Sequence, residues 1–257
     1  MKGTVATLAY APVKGLRLEL VDALELTASG PRGDRQFFLV DENGRLVNNK
    51  GLGVLQQARA RYGAETRTLE LVLPDGEVVG GEVAFDGVVE TSFWGSQRPA
   101  QRVNGPWSDA LSELAGRRLQ LVASVDGAAV DRGADAAATL VSTASLAALA
   151  DELAVESVDR RRFRMHLYVD GVPPHAEDGW LGRRVRVGKA VVVPRGNVGR
   201  CAVTTQNPET GRPDLDTLKA LARYRGDVQT TEPLPFGVYA AVAEPGVVRV
   251  GDAVEVV

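Results

Sequence analysis

Short apolar runs of strand length, each cut off by a turn rich in glycine or proline, limit what this chain can fold into. "TVATLAYAPV", "LELVDALELT" and "RQFFLVDENGRLV" alternate or cluster apolar residues over strand lengths, the last around a tight "DENG" turn. "TLELVLPDGEVVGGEVAF" repeats the theme around "PDG". Only three stretches carry helical periodicity. "GPWSDALSELAG" has Ser108 as its expected cap, Leu111 and Leu114 on one face, and Gly116 as its stop. "TLVSTASLAALADELA" reads as a short strand entering a helix capped by Ser142 or Thr143, with Leu146, Leu149 and Leu153 on one face. "PDLDTLKALARYR" is the third. The pattern predicts a mainly β fold, barrel-like, with a few packed helices, and excludes a doubly wound parallel sheet.

An internal echo supports the barrel. "VRVGKAVVV" (185–193) and "VRVGDAVEV" (248–256) agree at seven of nine positions. Each reads as strand, glycine turn, strand: either two similar corners of one sheet or two hairpins that met the same turn physics independently. Between the helical stretches, "VDGAAVDRGADAAA" (125–138) is small and acidic. It reads as a long surface loop and as the seam between two halves, 1–122 and 123–257.

The 257 residues suffice for a real core. A net charge of −3 argues against nucleic-acid binding through bulk positive charge. The 30 basic residues include only five lysines, and arginine is the better fork for phosphates and carboxylates. No run approaches the ~18 apolar residues of a membrane span, and the N-terminus lacks the apolar core of a signal peptide. A single cysteine excludes an internal disulfide and fits a reducing compartment, so a cytoplasmic location is expected. One cysteine and two histidines (His166, His175) are too few for a structural zinc site or a self-contained iron–sulfur cluster.

The residues that could carry chemistry are few. Cys201 lies in "RGNVGRCAVTTQNPETG", where Gly196 and Gly199 would let backbone approach a ligand and two threonines follow. A lone cysteine is commonly inert packing. Arg200 would lower its thiol pKa if it faced it, but in an extended strand it points to the opposite face. In "RRRFRMHLYVDG" (160–171), strand alternation would put Phe163, Met165, Leu167 and Val169 in the core and Arg162, Arg164 and His166 together on the other face, a surface suited to an anion. Lys14 sits in a Pro/Gly-bounded turn and Arg35 heads a strand. No P-loop, G-x-G-x-x-G, G-x-S-x-G or H-E-x-x-H spacing occurs. Adjacent Glu177 and Asp178 diverge in an extended segment, which suits structural hydrogen bonding better than acid–base work.

In combination these segments resemble a known family. "YAPVKGL…GDRQFFLVD" is similar to the N-terminal β-barrel domain of MOSC proteins. "LVSTASL…RRFRMHLYVDG…EDGW…VGRCAVTTQNPETG…FGVY…VRVGDAVEV" resembles the MOSC domain itself, the module that ends molybdenum-cofactor sulfurases and builds the amidoxime-reducing components. The resemblance spans nearly the whole chain and implies two intimately packed β-rich MOSC domains. It implies that Cys201 ligates molybdenum and that Lys14, Arg35, Ser142, Arg164, His166, Arg200 and Thr204 stand around a molybdenum cofactor. A thiolate suits a thiophilic metal.

Three positions depart from the family pattern. His166 replaces a usual asparagine, Gly199 a frequent serine and Gly15 a common serine. Together they remove small polar groups from the expected cofactor shell. The implied activity is reduction of N-hydroxylated compounds with electrons from a separate ferredoxin- or flavoprotein-like donor, without nucleic acid or membrane as partner. A persulfide or cofactor carrier, and a non-redox anion-binding module, are the alternatives. Pyridoxal phosphate belongs to the sulfurases' separate domain, and no site for it is identified in this sequence.

Overall fold

The computed structural model describes residues 2–93, 95–127, 129–130 and 133–257. Its centre is a closed barrel of seven strands. In order around the barrel these are Leu167–Asp170, Ala138–Ser142, Pro235–Glu244, Ala190–Gly199, Val185–Val187, Ala253–Val256 and Lys2–Tyr10, which pairs back onto Leu167–Asp170. Period-2 alternation of valine and leucine fills the interior: Val5, Leu140, Leu167, Val169, Val185, Val187, Val192, Val238 and Val254 belong to one buried cluster. Each such side chain taken from water contributes roughly 1.5–3 kcal/mol.

The first strand of the chain therefore completes the barrel of the second half. Ala23–Thr27 crosses the same boundary by pairing with Gly246–Arg249. The rest of the first half forms a five-stranded sheet, a three-stranded sheet over 59–82, and helix α1 (Trp107–Ala115) around a separate core containing Phe37, Leu39, Leu55 and Trp107. The single parallel pairing of the barrel, Ala138–Ser142 with Leu167–Asp170, is bridged by helix α2 (Thr143–Leu153), as parallel neighbours require a crossover. Helix α3 (Thr217–Arg225) packs beside α2, with Leu149 and Leu221 in a shared cluster. No helix among the described residues is long and apolar enough to cross a membrane.

Four expectations are corrected. The stretch 160–171 is not one strand. Arg160–Phe163 forms a 3-10 turn capped by the Asp159 carboxylate, Arg164 is left-handed with φ 54°, and only Leu167–Asp170 is extended. Arg162, Arg164 and His166 therefore share no strand face. Ser108 does not cap α1: Pro106 stands at the cap, and the Ser108 hydroxyl accepts the Leu121 N–H at 3.0 Å. Gly116 ends the helix as expected.

The two echoed segments are not equivalent. Val185–Val187 and the strand after it form a true hairpin, whereas Gly246–Arg249 and Ala253–Val256 enter different sheets. Finally, 125–138 is not a free surface loop. Val130 is buried beside Phe38 and Val122, and 134–136 form a 3-10 turn. Ala128, Asp131 and Arg132 of that stretch lie outside the described residues.

Candidate functional site

A cavity of about 360 Å³ opens where the two halves meet. That volume lies in the range of small-molecule pockets, about 300–1,000 Å³. Its wall carries Lys14, Arg35, Lys50, Arg162, Arg164 and Arg200, against one carboxylate, Asp34. The first half supplies the 14–15, 34–35 and 48–50 segments, and the second supplies 162–166 and 198–204. The 125–138 stretch contributes Ala129, Ala136 and Ala137. Cys201 stands at this cavity with its thiol free and exposed.

The strand that delivers Cys201 is irregular for a reason. Ala190–Gly199 pairs with Pro235–Glu244 through three register shifts, which carry the chain out of the barrel ladder just before the cysteine. Arg200 then pins it. Its guanidinium donates to the Phe163 carbonyl at 2.8 Å and the Phe236 carbonyl at 2.9 Å, and lies over both rings, whose centroids stack 4.3 Å apart. Arg200 thus ties the cysteine strand to the turn that carries Arg162 and Arg164. Thr204 closes the other side: its hydroxyl donates to the Cys201 carbonyl at 3.1 Å and pairs with Thr217 of α3 at 2.7 Å. The following "NPETG" turn is held by Arg161, which reaches Glu209 at 2.6 Å, by the Arg17–Glu209 pair and by Gln57 donating to the Thr210 carbonyl at 3.1 Å.

Opposite the cysteine strand sits a buried charged knot. Asp34 accepts from the Ala11 N–H at 2.8 Å and from Arg35 Nη1 at 2.6 Å, with His166 Nε2 at 3.0 Å. Arg35 Nη1 also lies 2.8 Å from His166 Nε2, and its Nη2 donates to the Arg164 carbonyl at 3.0 Å. Burial alone would raise the Asp34 pKa, but Arg35 and His166 hold its carboxyl well below the usual carboxylate range. Arg35 and Arg164 both adopt left-handed backbone, with φ 46° and 54°. Such conformations concentrate at functional sites, where surrounding structure enforces them. Arg164 donates to the Leu16 carbonyl at 2.8 Å, and Lys14 lies 6.0 Å from the Phe93 ring centroid.

The structure brings Lys14, Arg35, Arg164, His166, Arg200, Cys201 and Thr204 to this one cavity. Ser142 is elsewhere. It is fully buried, caps α2 by accepting the Ser145 N–H at 3.1 Å, and does not line the cavity. The acidic group at that helix N-terminus is the protein's own Glu177 carboxyl, which accepts from Ser145 at 3.1 Å. Glu177 and Asp178 lie in a 3-10 turn, Ala176–Trp180, and not in an extended segment, yet their carboxylates diverge, Asp178 turning to Asn197 and Arg225.

Asp34, Asn49 and Lys50 line the cavity without having stood out in the sequence. Asp34 is the aspartate of the quoted "GDRQFF", and its pairing with His166 across 132 positions had no local signal. The two glycine departures have steric causes. Gly15 has φ +91° and a Cβ there would lie 3.2 Å from Asn48 Cα, while a Cβ on Gly199 would sit 2.8 Å from the Glu232 carboxylate that accepts the Gly199 N–H.

A barrel joined to a second β-rich unit, with a lone exposed cysteine at a cation-lined cavity between them, defines a two-part β fold. The chain belongs to the MOSC family: the MOSC domain matches residues 127–255 and the MOSC N-terminal beta barrel domain residues 2–117. It is 27% identical to mitochondrial amidoxime-reducing component 1 of Xenopus laevis, over 98% of this chain and 81% of that protein. A 70-residue stretch, 26% of this chain and 8% of the relative, is 33% identical to a molybdenum cofactor sulfurase of Oryza sativa. The YUAD protein from Bacillus subtilis shares the fold, with a TM-score of 0.51 at 15% identity over 99% of this chain and 94% of that one.

Proposed function

We propose that this chain is a molybdenum-cofactor enzyme that reduces N-hydroxylated compounds with electrons from a separate donor protein. The observation that carries the reading is an exposed thiol, Cys201, set at the one end of a cavity walled by six cationic side chains. The similarity to an amidoxime-reducing component along almost the whole chain supports the substrate class.

The residues present fit such a group. The cavity is cationic and of small-molecule size, and three nitrogens of its lining residues (Asn49 Nδ2, Arg162 Nε, His166 Nδ1) are buried without hydrogen-bond partners among the described residues. Among the described residues no cluster of three or more His, Cys, Asp or Glu side chains could hold a metal by itself. A metal on Cys201 would therefore depend on an organic chelator for its other positions.

Cys201 would give the soft thiolate ligand, while Lys14, Arg35 and Arg164 would neutralise the anionic part of the cofactor. Arg200 and Thr204 would keep the cysteine backbone fixed, and Asp34 would hold Arg35 and His166 in place. When bound, the cofactor supplies two-electron chemistry at oxygen: conversion of an N–OH group to N–H consumes two electrons and two protons and releases water. Purified protein from a molybdenum-sufficient host should hold metal and pterin, and Cys201→Ala should fold without retaining molybdenum.

A second reading, a sulfur carrier, is favoured by the exposure of Cys201 and by the absence of any hydrogen bond to its sulfur among the described residues. Under sulfur-donor turnover it requires a mass gain of one sulfur atom on Cys201. An unmodified thiol there would rule it out.

A further inference from the structure

Buried polar groups in folded proteins are nearly always hydrogen-bonded, and each one left unmade costs about 1–3 kcal/mol. The described residues contain only a few such atoms, and three of them belong to residues of the one cavity: Asn49 Nδ2, Arg162 Nε and His166 Nδ1. Asn49 is the most telling. It is 5% exposed, yet its side-chain amide makes no hydrogen bond among the described residues, so no hydrogen bond fixes the direction of the amide. Rotation about χ2 therefore breaks no bond and can present the NH2 to a ligand.

Its backbone, by contrast, is held tightly. The Asn49 carbonyl accepts from Gln206 Nε2 at 2.9 Å, and Gln206 Oε1 accepts from Gln56 Nε2 at 2.8 Å. All three of these residues are at most 6% exposed. Gln206 lies five positions beyond Cys201, so a buried amide chain sets Asn49 in register with the cysteine loop. Gly15, with φ +91°, lets the backbone of Asn48 and Asn49 come within 3.2 Å of where a side chain would stand. A rigid backbone carrying an uncommitted polar tip is what a preformed binding residue needs.

The company it keeps decides the class of ligand. Arg162 has its Nη1 committed to Asp214 at 2.7 Å and the Thr205 carbonyl at 3.2 Å, which fixes its guanidinium as a positive charge at the cavity wall. An uncommitted amide in a wall of six cations and one carboxylate calls for an oxyanion.

We infer that Asn49 is a ligand-binding residue of the cavity, donating its side-chain amide to a phosphate-class oxyanion. This rests on the reading of the cavity as the seat of an anionic organic group, and assigns to it a donor that the cationic residues do not provide. Neutral donors of this kind orient an oxyanion that flexible lysines only attract.

The test uses inorganic phosphate as the probe on the metal-free full chain, with sodium chloride at equal ionic strength as the control. Melting temperature is followed against phosphate concentration for wild type, Asn49→Ala and Asn49→Asp. Wild type should be stabilised by phosphate beyond chloride, following mass action. The half-saturating phosphate concentration should rise about tenfold in Asn49→Ala, the loss expected for one good hydrogen bond to a charged group. Asn49→Asp, which replaces the donor with a like charge, should abolish the response.

Because the amide makes no internal hydrogen bond, Asn49→Ala should melt in chloride close to wild type, which keeps the test readable even if the aspartate variant fails to fold. A wild type indifferent to phosphate, or an alanine variant with unchanged half-saturation, would overturn the inference. Protein that binds phosphate through Asn49 yet purifies without molybdenum would defeat the proposed function and leave this assignment standing. Molybdenum-loaded protein with an Asn49-independent phosphate response would do the reverse.

Discussion

Two buried carboxylates in this molecule have opposite fates. Asp34 lies at the cavity between a guanidinium and an imidazole, and its pKa is depressed. Glu177 lies at the N-terminus of α2 with Ser142 and Ser145, and its pKa is raised, chiefly by burial. Both are essentially closed to solvent. The difference is the partner. Asp34 has the Arg35 cation at 2.6 Å, whereas Glu177 has neutral donors, the Ser145 hydroxyl at 3.1 Å among them, and an Oε2 with no hydrogen bond among the described residues. A buried charge survives where a counter-charge faces it; elsewhere the group favours its neutral form. The first arrangement keeps ions beside an open cavity and the second closes a helix end, which is why the same chemistry reads as site in one place and scaffold in the other.

Replacing each acid with its amide is the sharpest way to break this comparison. Asp34→Asn removes one member of a buried charged set and should destabilise the fold by about 3–5 kcal/mol, measured by denaturant unfolding at neutral pH. A close approach elsewhere gives the next effect. A Cβ on Gly53 would lie 2.1 Å from the Gly211 carbonyl, where the first half crosses the loop after the cysteine. Gly53→Ala should therefore cost about 1–3 kcal/mol. Glu177→Gln should be the smallest, neutral or stabilising by about 1 kcal/mol at pH 8, because the amide keeps an acceptor for Ser145 without an unpaired charge. A loss at Asp34 no larger than that at Glu177 would refute the assignment of a paired charge to the cavity.

The pH dependence has opposite signs at the two acids. Asp34, depressed in the fold, contributes stability that is present above the unfolded carboxylate pKa and lost as pH falls. Glu177, raised in the fold, contributes stability that is full below its unfolded pKa and lost as pH climbs through the folded one. His175 reinforces the acid side. Burial first, and Arg225 second, push its pKa down to about 4, so stability should fall between the ordinary histidine range near 6.5 and about 4. His175→Asn suits the left-handed backbone at φ 57° and should flatten that part of the profile, measured by melting temperature across pH 4–7.

What could be read from the sequence follows from how local each signal is. The barrel strands announced themselves by alternation, and α2 by a serine cap with leucines on one face, because those patterns sit within a dozen residues. Cys201 was legible as the only cysteine in a turn-rich segment. The 160–166 turn was misread, since arginine and phenylalanine alternate there as they would in a strand, and only the capping Asp159 hints at the 3-10 turn that replaces it. Of the two cap candidates Ser142 is the cap, but the carboxyl at its helix comes from Glu177, 35 positions later. Asp34 with His166 and Asn49 with Gln206 are pairings across more than a hundred residues, set by barrel closure, and no window of sequence contains both members.

The central claim is that Cys201 tethers a molybdenum cofactor in the cavity between the two halves. Its most direct measurement is the molybdenum and pterin content of wild type and Cys201→Ala, purified from a molybdenum-sufficient host and both shown to be folded. The account predicts near-stoichiometric metal with pterin in wild type and loss of the metal in the variant. A folded wild type that carries neither, or a variant that keeps its molybdenum, would contradict it.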